Sequence, residues 1–504
     1  MKCSYEQTTF SKLYWNYPYT TLGLSLAIDS NNIYITGRGA AYEDIYLIPN
    51  KFFIKTDLEG NQLITKNILS GLDFTFREGY AGGFEFINKS SIMVAGIYTN
   101  YDTLFPPWNS EHNGIIYKYN LDGDTILTKR FIGDGYTEFS RLVYDVVNNK
   151  IIAGGLTDDT ISVPDLAYTV YIDTSGNIIW EQREGNHIKT EVGGLLDLLA
   201  NGNILSGGII RGADLIRNGK FYKTGKNGVS YFSKEIGTEG DDSELEIKVT
   251  QNQKSLIVRQ YLDTVINEGD YEFVSYIGKM DTNGVFIWRT FLNDAYYKYF
   301  YTLRTFDDGS IVAVGAKIID NTYATHGCII KLDSNGTILW ERDYSEYPTS
   351  DHYFYDFRKM PDKGYVISGM GVNEIDGAAQ SMCWLVKLDS MGCLEPGCAD
   401  TGTAIIPFQA QTSIFNIYPN PIAEISTVEI HIPSDFNIIT GEKLQLNIYD
   451  INGRLVDHYA NIPVNNPNEI LRFNIYKKQL VAGIYSANLV YAGRDLGSNK
   501  ILIQ

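Results

Sequence analysis

Up to about residue 400 of 504, apolar and polar residues alternate in short runs that recur in a fixed order. Each cycle holds an apolar strand ending near Asp, a turn closed by Gly, and a further strand that often carries Trp. The cleanest copies read Ile329-Ile330-Lys331-Leu332-Asp333-Ser334-Asn335-Gly336-Thr337-Ile338-Leu339-Trp340 and Ile277-Gly278-Lys279-Met280-Asp281-Thr282-Asn283-Gly284-Val285-Phe286-Ile287-Trp288. The turn glycines are Gly60, Gly123, Gly176, Gly228, Gly284, Gly336 and Gly392, spaced 52 to 63 residues apart. A period of this size marks a repeat architecture.

A second marker precedes each turn, an apolar strand ending in Gly, as in Ile33-Tyr34-Ile35-Thr36-Gly37, Val312-Ala313-Val314-Gly315 and Tyr365-Val366-Ile367-Ser368-Gly369. In the fifth copy, Leu256-Ile257-Val258-Arg259, Arg replaces the Gly. Glycine inside a strand predicts close backbone approach. With one more apolar stretch before it, each unit holds four short strands, which indicates all-β structure. Four strands repeated seven times predict a seven-bladed β-propeller over residues 1–400. A single twisted sheet cannot bury both faces alone, whereas radial stacking covers both and leaves only short edges. The seventh unit lacks its Trp-bearing strand, and Ser11-Lys12-Leu13-Tyr14-Trp15-Asn16-Tyr17 resembles Thr337–Tyr344. Residues near 11–17 are therefore expected to close the seventh blade. The Asp-turn-Gly-Trp cassette resembles the Asp-box of sialidases, but Asp333 to Gly336 to Trp340 is longer than Asp-x-Gly-x-Thr-Trp. It reads as structural, because Asp and Asn bond the local backbone in tight turns and Trp buries a large area between sheets.

The period stops at Asp400, residues 401–412 read as a linker, and residues 413–504 show alternating strands with an Asn-Gly turn, hence a small C-terminal β-sandwich of Ig-like type. Its motifs stand in order: Tyr418-Pro419-Asn420-Pro421, then Tyr449-Asp450 with Gly453-Arg454, then Gly483-Ile484-Tyr485, then Lys500 near the end. These residues resemble the C-terminal sorting domain of Bacteroidota proteins exported by the type IX secretion system. The resemblance implies the secretion machinery as a partner and a secreted or outer-membrane surface location, often with cleavage and attachment to lipopolysaccharide. It also implies a leader, and because Met1–Glu6 shows no basic-then-apolar pattern, a removed leader is expected.

Net charge is -18, yet from Thr412 onward eight acidic residues face seven basic ones, so the excess lies in the repeats. Such acidity disfavours nucleic acid, since it offers no Lys/Arg footprint for phosphates. No apolar run reaches the ~18 residues that span a bilayer. Cys393 and Cys398 flank a Pro-Gly turn and are expected to form a disulfide, which suits an oxidising compartment. Cys328 and Cys383 read as core residues, and Cys3 has no assigned partner. A monomer is expected.

Catalytic signatures are sparse. The six histidines form no His-x-x-x-His pair, and no Gly-x-Ser-x-Gly elbow occurs. Asp351-His352 is an acid–His neighbour pair, as are Glu111-His112 and Asp457-His458, and adjacent strand residues point to opposite faces. Acidic clusters lie between units: Asp134 with Glu138, Asp241-Asp242 with Glu244, and Asp343 with Glu346 and Asp351. They share a face with long loops such as Tyr98–Asn113, and loops on a rigid scaffold carry function. Candidate ligand-binding residues on that face are Tyr101, Trp108, Tyr136, Asp241, Asp242 and Tyr347. No catalytic residue, metal-ligand set or organic cofactor is assigned, although paired carboxylates could bind Ca²⁺ through their oxygens. The expectation is a propeller that binds an extracellular glycan or protein. The alternative is an extracellular carboxylate-dependent glycoside hydrolase or lyase.

Overall fold

The computed structural model describes residues 8–504 other than 15–19, 44–45, 69–73, 79–82, 88, 101–110, 133–134, 159–164, 186–188, 213–215, 239, 268–269, 293–296, 320–323, 347–349, 376–377, 396–397, 399–414, 433–442, 450–454, 467–468, 479 and 492–493. The chain divides into two compact units, Met1–Thr401 and Gly402–Gln504. Among the described residues of the first unit there are seven antiparallel sheets.

Sheet one holds Thr20–Ile28, Asn32–Glu43, Tyr46–Asp57 and Gln62–Ile68, paired in chain order, and sheets three to six repeat that meander. In sheet two the first strand is split into Phe74–Glu78 and Phe84–Ile87, both paired with Ser91–Asn100. Sheet seven takes Tyr353–Lys359, Tyr365–Ile375 and Ala378–Leu388 from the end of the unit, and its fourth strand, Phe10–Tyr14, from the beginning. That strand runs antiparallel to the third, with Phe10 opposite Lys387 and Tyr14 opposite Cys383. Each first strand packs on the sheet before it, and Thr20–Ile28 packs on sheet seven, so the succession closes on itself.

The apolar side chains that alternate along each strand fill the gaps between sheets. Ile257 and Ile277 of sheet five meet Phe300, Leu303 and Ile330 of sheet six, and Val314 and Trp340 of sheet six meet Phe354, Ile367 and Trp384 of sheet seven. Cys383 and Leu385 join Leu26, Ile35 and Phe52 across the closure. At the turns, the Asp333 carboxylate accepts from the backbone N–H of Asn335 at 2.8 Å and Thr337 at 2.9 Å. Gly336 follows at φ 87°, a left-handed geometry that favours glycine. A Cβ there would also lie 2.7 Å from the Trp288 ring of the preceding sheet, so the Trp of one sheet covers the turn of the next.

The strand-ending glycines answer to a bulge. First strands carry one extra residue between Phe139 and Arg141, Phe300 and Thr302, and Phe354 and Asp356. The carbonyl two residues before the extra one presses on the second strand: a Cβ on Gly315 would sit 1.7 Å from the Tyr299 oxygen, and one on Gly369 1.9 Å from that of Tyr353. The fifth copy departs from the expectation that Arg259 replaces this glycine. Gly315 and Gly369 pair with Cys328 and Trp384, each five residues before the turn Asp, and the residue so placed in sheet five is Gln260, opposite Tyr276. The Gln260 amide donates to the Ile236 and Ser243 carbonyls at 3.1 and 3.0 Å and occupies the space. Arg259 lies one position earlier and turns toward the ring centre.

In the second unit, Phe415–Tyr418, Ile425–His431 and Ile470–Tyr476 form one sheet, and Leu444–Tyr449, Leu455–Ile462, Gly483–Tyr491 and Arg494–Ile503 form another. Both contribute to a single core that includes Phe415, Val428, Leu446, Ile448, Leu489 and Ile501.

Candidate functional site

The bulges decide what faces the mouth of the ring. A bulge sets two residues against one and re-aims a side chain. In Lys298–Thr305 and Tyr353–Lys359 the apolar partners Phe300 and Phe354 enter the inter-sheet cores, while Tyr301 and Tyr355 are the extra residues. Their rings meet edge to face at 5.0 Å, and Tyr301 also approaches Tyr353 at 6.4 Å. Tyr353 and Tyr355 stack with centroids 6.0 Å apart, and Tyr261 of sheet five meets Tyr299 at 5.5 Å. All five are half-buried. Burial, with the neighbouring Tyr353, pushes the Tyr301 phenol up to about 12, and burial likewise raises Tyr261, Tyr299 and Tyr355. The hydroxyls of Tyr261, Tyr299, Tyr301 and Tyr355 therefore stay protonated near neutrality and act as donors beside apolar ring faces.

Charged residues plug the axis beneath the tyrosines. Glu246, fully buried, accepts from Arg141 Nη1 and Arg259 Nε at 2.7 Å each and from Thr302 Oγ1 at 3.1 Å. Arg141 belongs to sheet three and Glu246 to sheet five, so this contact skips a sheet and bridges the centre. Arg259 Nη2 donates to the bulged Tyr301 carbonyl at 2.9 Å, which ties the plug to the mouth. Asp356 accepts from Arg304 at 2.9 Å, from Arg358 at 2.7 and 2.8 Å, and from the Leu26 amide at 3.0 Å. Burial alone would raise the Glu246 carboxyl, but Arg141 and Arg259 outweigh it and hold it at about 2. The arginines hold Asp356 low against the same opposing burial. Both axial carboxylates are thus locked as anions, a poor state for donating a proton.

Of the candidates named from sequence, Tyr136 lies apart at sheet three, half-buried, its hydroxyl donating to Glu138 at 2.5 Å and its ring 4.7 Å from His112. Asp241 accepts from the Arg217 amide, Nε and Nη2 at 2.9, 2.8 and 2.5 Å, and those bonds to Arg217 lower its pKa. Asp242 is buried and accepts from the Thr238 amide and hydroxyl at 2.5 and 3.0 Å. Both aspartates are thus engaged in shaping the connection between sheets four and five. Tyr101, Trp108 and Tyr347 lie outside the described residues, as do Cys3, Asp134, Asp450, Gly453 and Arg454. His352 is buried, receives the Glu346 amide at 3.2 Å and bonds the Ser350 carbonyl, while Asp351 accepts from the Thr325 amide. Among the described residues no three His, Cys, Asp or Glu side chains are grouped to hold a metal ion. A cavity of about 150 Å³ lies at the other end of the same strands, lined by Thr250, Asn252, Thr305, Phe306 and Ser334.

Cys393 and Cys398 form a disulfide, and Cys328 and Cys383 are buried as thiols. In the second unit, Tyr418-Pro419 and Asn420-Pro421 are cis peptides. Asn420 accepts from the Leu502 amide at 2.8 Å, so the Pro-rich opening is fastened to the last strand. The Tyr485 hydroxyl donates to the Val481 carbonyl at 2.9 Å, and Lys500 pairs with Ser486 across the final ladder.

Residues 416–504 match the family described as the secretion system C-terminal sorting domain. No curated protein matches the chain in sequence. Among solved structures it is similar to the Pyrococcus horikoshii acylaminoacyl peptidase, at 11% identity and a TM-score of 0.41, covering 84% of this chain and 59% of that one. The chain therefore spans less than two thirds of that peptidase. It is also similar to the β-propeller domain of the Trilobed protease from Pyrococcus furiosus, at 10% identity and 0.39, covering 74% and 99%. A third likeness is the GH93 α-L-arabinofuranosidase of Fusarium graminearum, at 12% identity and 0.38, covering 60% and 91%. The C-terminal sorting domain indicates a secreted or cell-surface protein, and no helix among the described residues is long and apolar enough to cross a membrane.

Proposed function

We propose that the first unit is a seven-bladed β-propeller that binds an extracellular glycan at its tyrosine-lined mouth. In this reading the Ig-like second unit carries the chain through the type IX secretion machinery to the surface of a Bacteroidota cell. The observation that carries the ligand reading is the convergence of Tyr261, Tyr299, Tyr301, Tyr353 and Tyr355 from three adjacent sheets. Aromatic faces with protonated hydroxyls at their rims suit sugar rings, which offer apolar C–H faces and polar edges. The hydrolase alternative needs one carboxyl held protonated beside an ionised one. Glu246 and Asp356 are both held ionised, so it would rest instead on Asp165, whose carboxyl is raised by burial and by Asp158 and Glu138.

The test is a glycan and peptide array with the full chain, followed by titration of the Tyr301→Ala/Tyr355→Ala double variant against the glycan retained. A loss of about tenfold or more in affinity, roughly 1.4 kcal/mol, is expected. Retention on peptides alone would transfer the site to a protein ligand. Glycan binding unchanged in the double variant would remove the tyrosines from it. Truncation after Asp400 is expected to keep the protein inside a type IX-competent host, read by surface labelling.

A further inference from the structure

A second charged layer lies beyond the Glu246–Asp356 plug, toward the turn end of the ring. Residues two apart on a strand share a face, so Lys248, Arg304 and Arg358 face the axis next to Glu246, Thr302 and Asp356. Register places Glu85 and Asp197 at matching positions in sheets two and four. The cations of this layer are unequally served. Arg358 is occupied by Asp356 and by the Phe84 and Phe357 carbonyls. Arg304 spends Nε and Nη2 on the Phe357 carbonyl and Asp356, which leaves Nη1 without a hydrogen bond among the described residues, in the field of Glu85. The Asp197 carboxylate is taken up by the Leu198 and Val249 amides at 2.8 and 2.7 Å. Lys248 has no hydrogen bond and no carboxylate within 4.0 Å among the described residues.

Lys248 is only half-buried, and the Arg304 and Arg358 side chains keep 20% and 15% exposure although they sit inside the ring. An ammonium withdrawn from bulk water without an acceptor is costly unless a counter-charge accompanies it. Burial and the charges of Arg141 and Arg304 accordingly push Lys248 down, against Asp197 and Glu246. In a chain of net charge -18, this layer sets three cations, Lys248, Arg304 and Arg358, against two carboxylates, Glu85 and Asp197.

We propose that the partly exposed cationic layer at the ring axis holds a small inorganic anion, bound between Lys248 Nζ and Arg304 Nη1. The site is separate from the tyrosine mouth, which lies on the far side of the plug, and it stands or falls independently of the glycan reading. An anion there would cross-link sheets five and six at the centre.

The experiment exchanges the full chain into sodium gluconate and titrates chloride, nitrate or phosphate at constant ionic strength while thermal unfolding is followed. A saturable rise in melting temperature with at least one anion, reduced by half or more in Lys248→Met, is expected. The active anion separates a halide from an oxyanion. No rise, or equal rises in both proteins, overturns the proposal. Should Lys248→Met fail to fold, crystals of the natural chain grown in bromide decide: an anomalous peak about 3–4 Å from Lys248 Nζ supports the site, and its absence overturns it.

Discussion

The rim and the axis of the ring are built on opposite principles. At the rim, the turns that begin at Asp57, Asp173, Asp281, Asp333 and Asp389 repeat one local device: the Asp carboxylate caps amides two and four residues on, and a glycine closes at φ 74° to 87°. At the axis the residue beside the bulge changes from sheet to sheet. The structurally matching first-strand positions hold Ser25, Arg141, Leu195, Glu246, Thr302 and Asp356. A turn is satisfied within five residues and can be copied. Seven inner strands meeting at one centre must satisfy one another, so charge is balanced across the ring and not within the repeat.

Breaking the axis should cost most. Glu246→Ala removes the buried carboxylate that Arg141 and Arg259 share, and a loss of about 3–5 kcal/mol is expected in denaturant unfolding. Because the folded Glu246 carboxyl lies near 2 against an ordinary 4.5, its contribution is complete above 4.5 and drains away as pH falls toward 2. Glu246→Gln should flatten that acid limb; an unchanged limb would detach Glu246 from it. Next comes Gly315→Ala. Its Cβ would lie 1.7 Å from the Tyr299 oxygen, so the bulge must shift, at about 1–3 kcal/mol. The same shift should displace Tyr301 and weaken ligand retention, whereas stability lost with binding intact would uncouple bulge from mouth. The rim should yield least: Asp333→Ala removes two exposed turn bonds, at about 1 kcal/mol. A rim loss as large as that of Glu246→Ala would erase the contrast.

Legibility followed the same division. The turns and the Trp cover were readable because each needs a residue type at a fixed offset. The strand-ending glycine was readable as close approach, though not as a bulge. In the fifth copy the apolar run slid by one residue, because only pairing against the third strand shows that Gln260 takes the glycine's place and frees Arg259 for the axis. The tyrosines were visible as Tyr299-Phe300-Tyr301 and Tyr353-Phe354-Tyr355, an alternation in which Phe enters the core. Their convergence was not, since more than fifty residues separate the two segments. The acidic pair Asp241-Asp242 drew attention as a surface cluster, yet both are bound by Arg217 and Thr238, partners that charge counting does not reveal.

The chain by itself determined its repeat, its strand content, the Asp-turn-Gly rim and the sorting motifs near its end, because each rests on contacts among residues close in sequence. Only the tertiary structure decided that Arg141 reaches Glu246 across the ring, that five tyrosines share one mouth, and that Lys248 has no acceptor among the described residues. Those outcomes depend on which strands meet at the axis, where electrostatic balance is settled among residues a hundred positions apart.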